Sequence, residues 1–394
     1  MNILLCNNSP FTPNNSFYWF YKQLTDQLTN DSYESCLYFA YLERSEESVN
    51  GVLLPDNNRY NTQKNVETIV HFIREKKIQV IFNFYLPIWE IEDFFSAIKR
   101  EIPTIKFVEL IHNCPNHTIQ LKKYCLLNSF PRIRSKTIKD SIISLFPNLY
   151  LFLLKKKISK DNRHAYNLHD AVVVLSPSYI KEYLAIVKVK NPHKVFVIPN
   201  SLAPSSFYQS NIPIEEKSKE IVFCASLRVE KAVWILLKVW EKIQYKIPEW
   251  RLTIVGDGEY MFYCKEVIDS LNLERIELKG FTNSRPLIDR ASILCLTSVI
   301  EGLPTVFLEA MSMGVVPVGF NSFSAIYDMI DNWKNGVIVP AFDIEKYAES
   351  LVELASNDEL RCSMAKEAKF KVQQYNISDV YAKWLYLFKK IKLL

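Results

Sequence analysis

No uninterrupted apolar run in this chain approaches about 18 residues, so no segment is expected to span a bilayer. The N-terminus, MNILLCNNSPF, turns polar before an apolar core of signal-peptide length can form. The eight cysteines, at 6, 36, 114, 125, 224, 264, 295 and 362, include no CxxC pair. Several lie in apolar runs, which fits reduced, buried thiols and a cytoplasmic location. The six histidines form no metal-ligand spacing. Net charge is also small: 48 basic against 43 acidic residues leave +5, which by itself does not call for nucleic acid. No aromatic-basic platform for a nucleic-acid partner is present either.

At 394 residues and 48% hydrophobic, the chain exceeds the length at which one core usually divides, so two globular domains are expected. Charge is uneven along it. Between Pro131 and His164 stand Arg132, Arg134, Lys136, Lys139, Lys155, Lys156, Lys157, Lys160 and Arg163 against Asp140 and Asp161, beside the apolar stretch LFPNLYLFLLKKK. That combination fits either an anionic membrane surface or an ordinary helix with one face buried and its lysines reaching outward.

Short apolar runs alternate with amphipathic segments. NILLC reads as a first strand, followed by the loop NNSPFTPNNS and a helix from about Phe17 to Leu28. NVETIVHFIREKK has helical spacing and leads into QVIFNF, and TIKFVELIH, HDAVVVLSPSYIKEYL and KVFVIPNSL continue the rhythm. The polar stretch YQSNIPIEEKSKE then makes a natural boundary. After it come EIVFCASL, a helix near Ala232 to Lys246, RLTIVG, a helix through Tyr260 to Leu271, IELKGF, ASILCLTS, PTVFLEAMSMG, VVPVGF and NGVIVP. Such runs imply parallel sheets covered on both faces, and doubly wound sheets bind ligands at the carboxyl ends of their strands.

The run EGLPTVFLEAMSMGVVPVGF, with NGVIVP downstream, resembles the donor-binding signature of retaining glycosyltransferases of family 4. EIVFCASLRVEKAVWILLKVWEKI, RLTIVGDGEYM and VFVIPNSL extend the similarity, and MNILLCNN and VELIHNC carry it more faintly. The resemblance implies an α/β chain of GT-B architecture, with two Rossmann-like doubly wound domains facing each other across a cleft. In that frame residues 1–203 form an acceptor-side domain and 204–376 a donor-binding domain. The amphipathic, basic segment 377–394 crosses back to the first domain with its aromatic side chains packed inward, and contact with a membrane surface is its rival role.

Elementary chemistry supports a donor cradle in EGLPTVFLE. Pro304 stands where a proline can open a helix without losing a hydrogen bond. The first-turn amides of Thr305, Val306 and Phe307 are then available to an anion such as the diphosphate of a nucleotide-sugar. Gly302 lets backbone approach the ligand. Glu309 lies about one turn into an apolar helix, where a carboxylate is costly unless paired; a ribose diol would pair it, and the alternatives are a capped loop or a solvent-facing acid. The resemblance associates Glu301 with the donor sugar, the alternative being a solvated loop acid. It also extends the site to Leu303 and to Gly256.

Charge developing on a leaving diphosphate calls for cations. In ASLRVEKAV the family pattern places Lys231 at the diphosphate and puts Ser226 where family members carry an arginine. Arg228, two positions on, either reaches the same phosphates or pairs with Glu230. His112, closing FVELI, is implied near the donor sugar; a satisfied structural histidine is the other reading. The family's glycines after the first strand are replaced by NNSPFTPNNSF, whose Asn14, Asn15 and Ser16 are expected to face the acceptor.

The expected reaction moves a sugar from a nucleoside diphosphate donor to a hydroxyl of a glycan or lipid-linked acceptor with retention, within surface polysaccharide or lipopolysaccharide synthesis. No permanent cofactor and no obligatory metal are expected. The location is cytoplasmic, with peripheral contact at the cytoplasmic face of an anionic inner membrane. Glu301 and Glu309 are not a glycosidase pair: such carboxylates flank one bond, whereas eight residues of mostly helical chain separate these by roughly 10 Å or more. A nucleotide-sugar epimerase, a phosphorylase-like enzyme and a non-catalytic sugar-nucleotide-binding subunit remain the alternatives.

Overall fold

Thirteen strands form two sheets in a computed structural model that describes residues 1–6, 16–42, 50–84, 88–128, 130–131, 143–202 and 210–394, with backbone alone at 16–20 and 88–92. The first sheet contains β1 (Asn2–Cys6), β2 (Cys36–Tyr41), β3 (Gly51–Leu53), β4 (Ile78–Asn83), β5 (Lys106–Ile111), β6 (Ala171–Val174) and β7 (Val195–Val197). Every pairing is parallel, in the order β3-β2-β1-β4-β5-β6-β7. Because successive side chains point to opposite faces, β1 sends Ile3 and Leu5 to one core and Leu4 and Cys6 to another.

On the first of those faces lie Tyr21, Leu24 and Leu28 of the helix Ser16–Asn30, and Trp384, Leu387 and Phe388 of the C-terminal helix Ile377–Lys390. Trp384 stacks on Phe82 of β4 at 5.2 Å between ring centres. Tyr381, Trp384 and Phe388 of the last helix are therefore core residues, whereas Tyr386 is exposed, against the expectation that all its aromatic side chains pack inward. The opposite face is covered by Ile69 and Ile73 of Gln63–Glu75 and by Phe94, Phe95 and Ile98 of Ile88–Glu101.

Two ionisable side chains at this sheet are held in neutral form by burial. Glu109 of β5 accepts from Asn83 and lies 3.1 Å from His169 Nε2. Burial pushes the Glu109 carboxyl up to about 8, the Asn83 bond opposing it, and burial brings the His169 imidazole down to about 4.

The second sheet contains β8 (Ser218–Cys224), β9 (Arg251–Val255), β10 (Ile276–Gly280), β11 (Ala291–Leu296), β12 (Val316–Phe320) and β13 (Val337–Val339). Its order is β10-β9-β8-β11-β12-β13, again wholly parallel. All six residues of β11, ASILCL, are buried, as a strand covered on both faces requires. Strand order reverses between β8 and β11, the point at which doubly wound sheets open a crevice at their carboxyl ends.

By contacts, residues 1–115, 154–203 and 377–394 form one unit, and 116–153 with 204–376 the other. The stretch after residue 115 thus joins the second unit: Tyr124 packs on Phe342 at 5.0 Å, and the Tyr260 hydroxyl donates to the Pro131 carbonyl at 2.8 Å. All eight cysteines are free thiols; Cys6, Cys114, Cys264 and Cys295 are buried, whereas Cys36 is exposed. Arg132, Arg134, Lys136, Lys139 and Asp140 lie outside the described residues. Among the described residues, no helix is long and apolar enough to cross a membrane.

Candidate functional site

The loops leaving β8 and β11 meet at the reversal point of the second sheet. After β8 the chain passes Ser226 and Arg228, makes one 3-10 turn over Val229–Lys231, and enters the helix Val233–Ile243 through Ala232, whose left-handed backbone has φ 45°. An alanine in that region is sterically costly and persists only where its surroundings hold it. Here they do: Ala232 is fully buried, and its carbonyl and that of Lys231 accept from the Thr297 hydroxyl at 3.1 and 3.2 Å. The Val299 amide donates to the Glu230 carbonyl at 2.7 Å, tying the two loops a second time.

This clasp presents Lys231 to Glu301. Lys231 Nζ lies 2.5 Å from Glu301 Oε1, and the Ser298 hydroxyl donates to the same oxygen at 2.6 Å. Glu301 is 7% exposed, which disposes of the solvated loop acid. Two residues expected at different parts of a donor are thus joined to each other. Among the described residues no ion pair joins Arg228 to Glu230, and Arg228 and Ser226 are both exposed on the β8 loop.

Beyond Glu301, Gly302, Leu303 and Pro304 are buried, and the helix Thr305–Ser312 begins one residue later than the proline suggests. Pro304 is its N-cap, with ψ 104°, rather than its first residue. The Phe307 amide donates to the Pro304 carbonyl at 3.0 Å, which withdraws it from the amides expected to face an anion and leaves that expectation to Thr305 and Val306. Glu309 follows, half-buried. Burial raises its carboxyl to about 6, and the nearby Arg285 guanidinium opposes that shift. Arg285 opens the helix Arg285–Arg290 and is a cation that the sequence pattern does not single out.

Gly256 has a structural explanation of its own. At φ +133°, a Cβ there would stand 1.9 Å from the Ala225 carbonyl oxygen, so close packing of the β9 and β8 loops excludes a side chain.

A further histidine joins this group. His117 begins the helix His117–Leu127, and burial lowers its pKa while Glu230 and Glu301 raise it and Lys231 lowers it. Its only trace in the sequence is its place in HNCPNH, where it reads as an unsupported neighbour of His112. The same helix borders a cavity of about 480 Å³ that Tyr124, Val299, Ser322 and Phe342 help to line.

His112 belongs to the first unit, directly after β5, and is 7% exposed. Its Nε2 is bonded to the Tyr21 hydroxyl, and the Asn200 side chain also bonds the ring. Burial drives its pKa down to about 3, the Asn200 bond opposing, so the imidazole is neutral at physiological pH. Ser16 opens the helix Ser16–Asn30, whereas Asn14 and Asn15 lie outside the described residues. Among the described residues no cluster of three or more His, Cys, Asp or Glu side chains could hold a metal ion.

Residues 205–371, the part of the chain that holds Lys231, Glu301 and Glu309, match the family model of the glycosyl transferases group 1. Over the whole chain the fold is similar to that of HepE from Anabaena in complex with UDP, at a TM-score of 0.71, covering 99% of this chain and 100% of the other at 14% identity. A likeness of that extent shows a shared GT-B fold. Among sequences, the chain is 31% identical over 188 residues to an uncharacterised glycosyltransferase of Haemophilus influenzae, covering 47% of this chain and 52% of that protein. It is 28% identical over 242 residues to an undecaprenol-linked glycan α-1,4-N-acetyl-D-galactosaminyltransferase of Campylobacter jejuni, covering 61% and 66%. The chain thus spans about half to two thirds of the length of these relatives.

Proposed function

We propose that this chain is a retaining glycosyltransferase that moves a sugar from a nucleoside diphosphate-sugar to a hydroxyl of a glycan or lipid-linked glycan, in the synthesis of a surface polysaccharide or lipopolysaccharide. The observation that carries the reading is the Lys231–Glu301 pair, held by Ser298 at the reversal point of the second sheet beside the first turn of Thr305–Ser312. A cation, helix amides and a carboxylate brought to one strand-end crevice suit a ligand with an anionic centre and a hydroxyl-rich end.

In this reading the diphosphate takes Lys231 and the Thr305 and Val306 amides, with Arg228 available from the exposed loop. Glu301, released from Lys231, accepts from the sugar hydroxyls, and Glu309 accepts from the ribose diol. The bond between the anomeric carbon and the diphosphate oxygen breaks, and the acceptor oxygen bonds that carbon on the same face. The acceptor proton passes to the departing diphosphate, so no protein nucleophile is required. Lys231 stabilises the charge that gathers on the leaving oxygens. Relatives act on an undecaprenol-linked glycan and on poly(ribitol-phosphate), which supports a carrier-linked acceptor worked on at the cytoplasmic face of a membrane.

The test is nucleoside diphosphate release from a panel of donors, beginning with UDP-glucose because HepE is solved with it. Acceptor-dependent release is the expected result. Tight binding of every donor tried with no turnover would instead assign a non-catalytic sugar-nucleotide-binding subunit, and interconversion of the donor sugar without release would assign an epimerase.

A further inference from the structure

The helix His117–Leu127 lays one face over the carboxyl ends of three strands of the second sheet. Gln120, Lys123, Tyr124 and Leu127 have the i, i+3, i+4 and i+7 spacing of a single helical face, and all four border the cavity of about 480 Å³. Its other wall comes from the loops that leave β11, β12 and β13, at Val299, Ser322 and Phe342. That wall is held in place. Phe342 has a left-handed backbone, φ 65°, which an aromatic residue adopts only where its surroundings enforce it; its ring meets Tyr124 at 5.0 Å and Phe320 at 5.7 Å. Asn321 accepts from the Ala341 amide at 2.7 Å and donates to the Tyr327 hydroxyl at 3.1 Å, joining the β12 and β13 loops. The Ser322 hydroxyl donates to the carbonyl of Ser298 at 2.7 Å, and Ser298 in turn holds Glu301. The wall is thus continuous with the loop that carries Glu301, although Glu301 does not line the cavity. The groups on the helix side are uncommitted: among the described residues the Gln120 amide and the Lys123 ammonium have no hydrogen-bond or ion-pair partner, and no acidic side chain lines the cavity.

We propose that this cavity is a subsite for a pyranose unit bearing a carboxylate or a phosphate, within the acceptor glycan. Its assignment to the acceptor rests on the transferase reading, whereas the binding chemistry does not. The electron-rich faces of Phe342 and Tyr124 suit the weakly positive C–H groups of a sugar ring. The Gln120 amide both donates to and accepts from hydroxyls. Lys123, with no acid in the lining, selects a single negative charge through a charge-assisted hydrogen bond. A diphosphate calls for several donors converging on one centre, and this cavity offers one cation. An acyl chain would leave the amide and the ammonium against apolar surface, which is costly.

The experiment is a saturation-transfer NMR titration of the full chain with glucuronic acid, glucose 6-phosphate and glucose, each in the presence of excess UDP so that the diphosphate site is filled. At least one of the two anionic sugars should bind about tenfold more tightly than glucose. Preference for glucuronic acid alone assigns a carboxylate, and for glucose 6-phosphate alone a phosphate; either supports the subsite. Lys123→Ala should remove the preference and leave glucose binding as it was. Lys123 is exposed, so circular dichroism of that variant should be unchanged. Phe342→Leu should weaken all three sugars by about two- to tenfold; if that variant fails to fold, Lys123→Ala still decides. No binding, equal binding of charged and neutral sugars, or a preference that survives Lys123→Ala overturns the proposal. Loss of anionic-sugar binding in Lys231→Ala would move these sugars to the donor site and overturn it as well. Nucleoside diphosphate release from the donor panel, measured on the same protein, separates the two readings: release without anionic-sugar binding sinks the subsite alone, and binding without release sinks the transferase reading alone.

Discussion

The two sheets share a doubly wound, wholly parallel design yet differ in which side chains meet at the carboxyl ends of their strands. In the first, burial lowers His112 to about 3 and His169 to about 4 and raises Glu109 to about 8, while Lys106 and Asp170 pair at 3.2 Å beside them. In the second, Lys231 and Glu301 pair at the strand ends, and Glu309, raised to about 6 by burial, has the Arg285 guanidinium opposing that shift. Burial without a counter-charge forces the neutral form, whereas a partner in the same crevice retains the charged one. The same topology can therefore carry either neutral buried groups or a paired cation and carboxylate at its strand ends. The difference lies in which loops carry cations into the crevice, and that is why the proposed diphosphate site lies at the second sheet.

The largest effect should come from the helix that closes the first domain. Trp384→Ala removes a buried ring stacked on Phe82 and should cost about 3–5 kcal/mol. Chemical denaturation should then show the first domain unfolding ahead of the second, while a single unshifted transition would break the contrast. Next, Lys231→Ala should lower turnover by about 100- to 1000-fold with a much smaller change in donor Kd, because its charge acts chiefly on the leaving diphosphate. An equal loss in Kd and turnover would make Lys231 a ground-state contact only.

The neutral Glu109 predicts a stability slope. Its folded pKa lies above the unfolded value, so the unfolded chain binds fewer protons between the two, and the contribution present at acid pH is lost as pH rises toward about 8. Stability should fall by up to about 1.4 kcal/mol per pH unit in that range, and Glu109→Gln should flatten the slope in urea titrations. The smallest effect concerns Glu309. Below about pH 6 its carboxyl is protonated and accepts a diol less well, so donor affinity should drop about tenfold between pH 7.5 and 5. Calorimetry on Glu309→Gln should show weak binding with little of that pH dependence.

Much of this fold is legible in the sequence because strands buried on both faces need continuous apolar runs. NILLC, RLTIV and ASILCL each became a parallel strand. The helix expected from about Phe17 to Leu28 spans Ser16–Asn30. The short β3, with no buried residue, leaves no comparable pattern. Glu301 and Lys231 are singled out by their motifs as candidate site residues, but their mutual bond is not legible, since 70 residues separate them and the two loops must be clasped before they meet. His117, Ser298 and Arg285 were missed for the same reason: each matters through a neighbour distant in sequence or through burial, and neither leaves a local pattern. The Phe307 amide, expected to be open, was taken up by the Pro304 carbonyl, a choice made by the tightness of one turn.

The sequence alone determined the two doubly wound sheets, because periodicity acts within a few residues of itself; the polar stretch read as a linker ends inside β8, which begins at Ser218. Only the tertiary structure decided which charges survive. Whether a carboxyl or an imidazole stays ionised depends on the water it loses and the partners it gains, and both are set by chain segments far away. Glu109 and Glu301 are each one glutamate in an apolar neighbourhood; folding gave the first Asn83 and a neutral histidine, and the second a lysine.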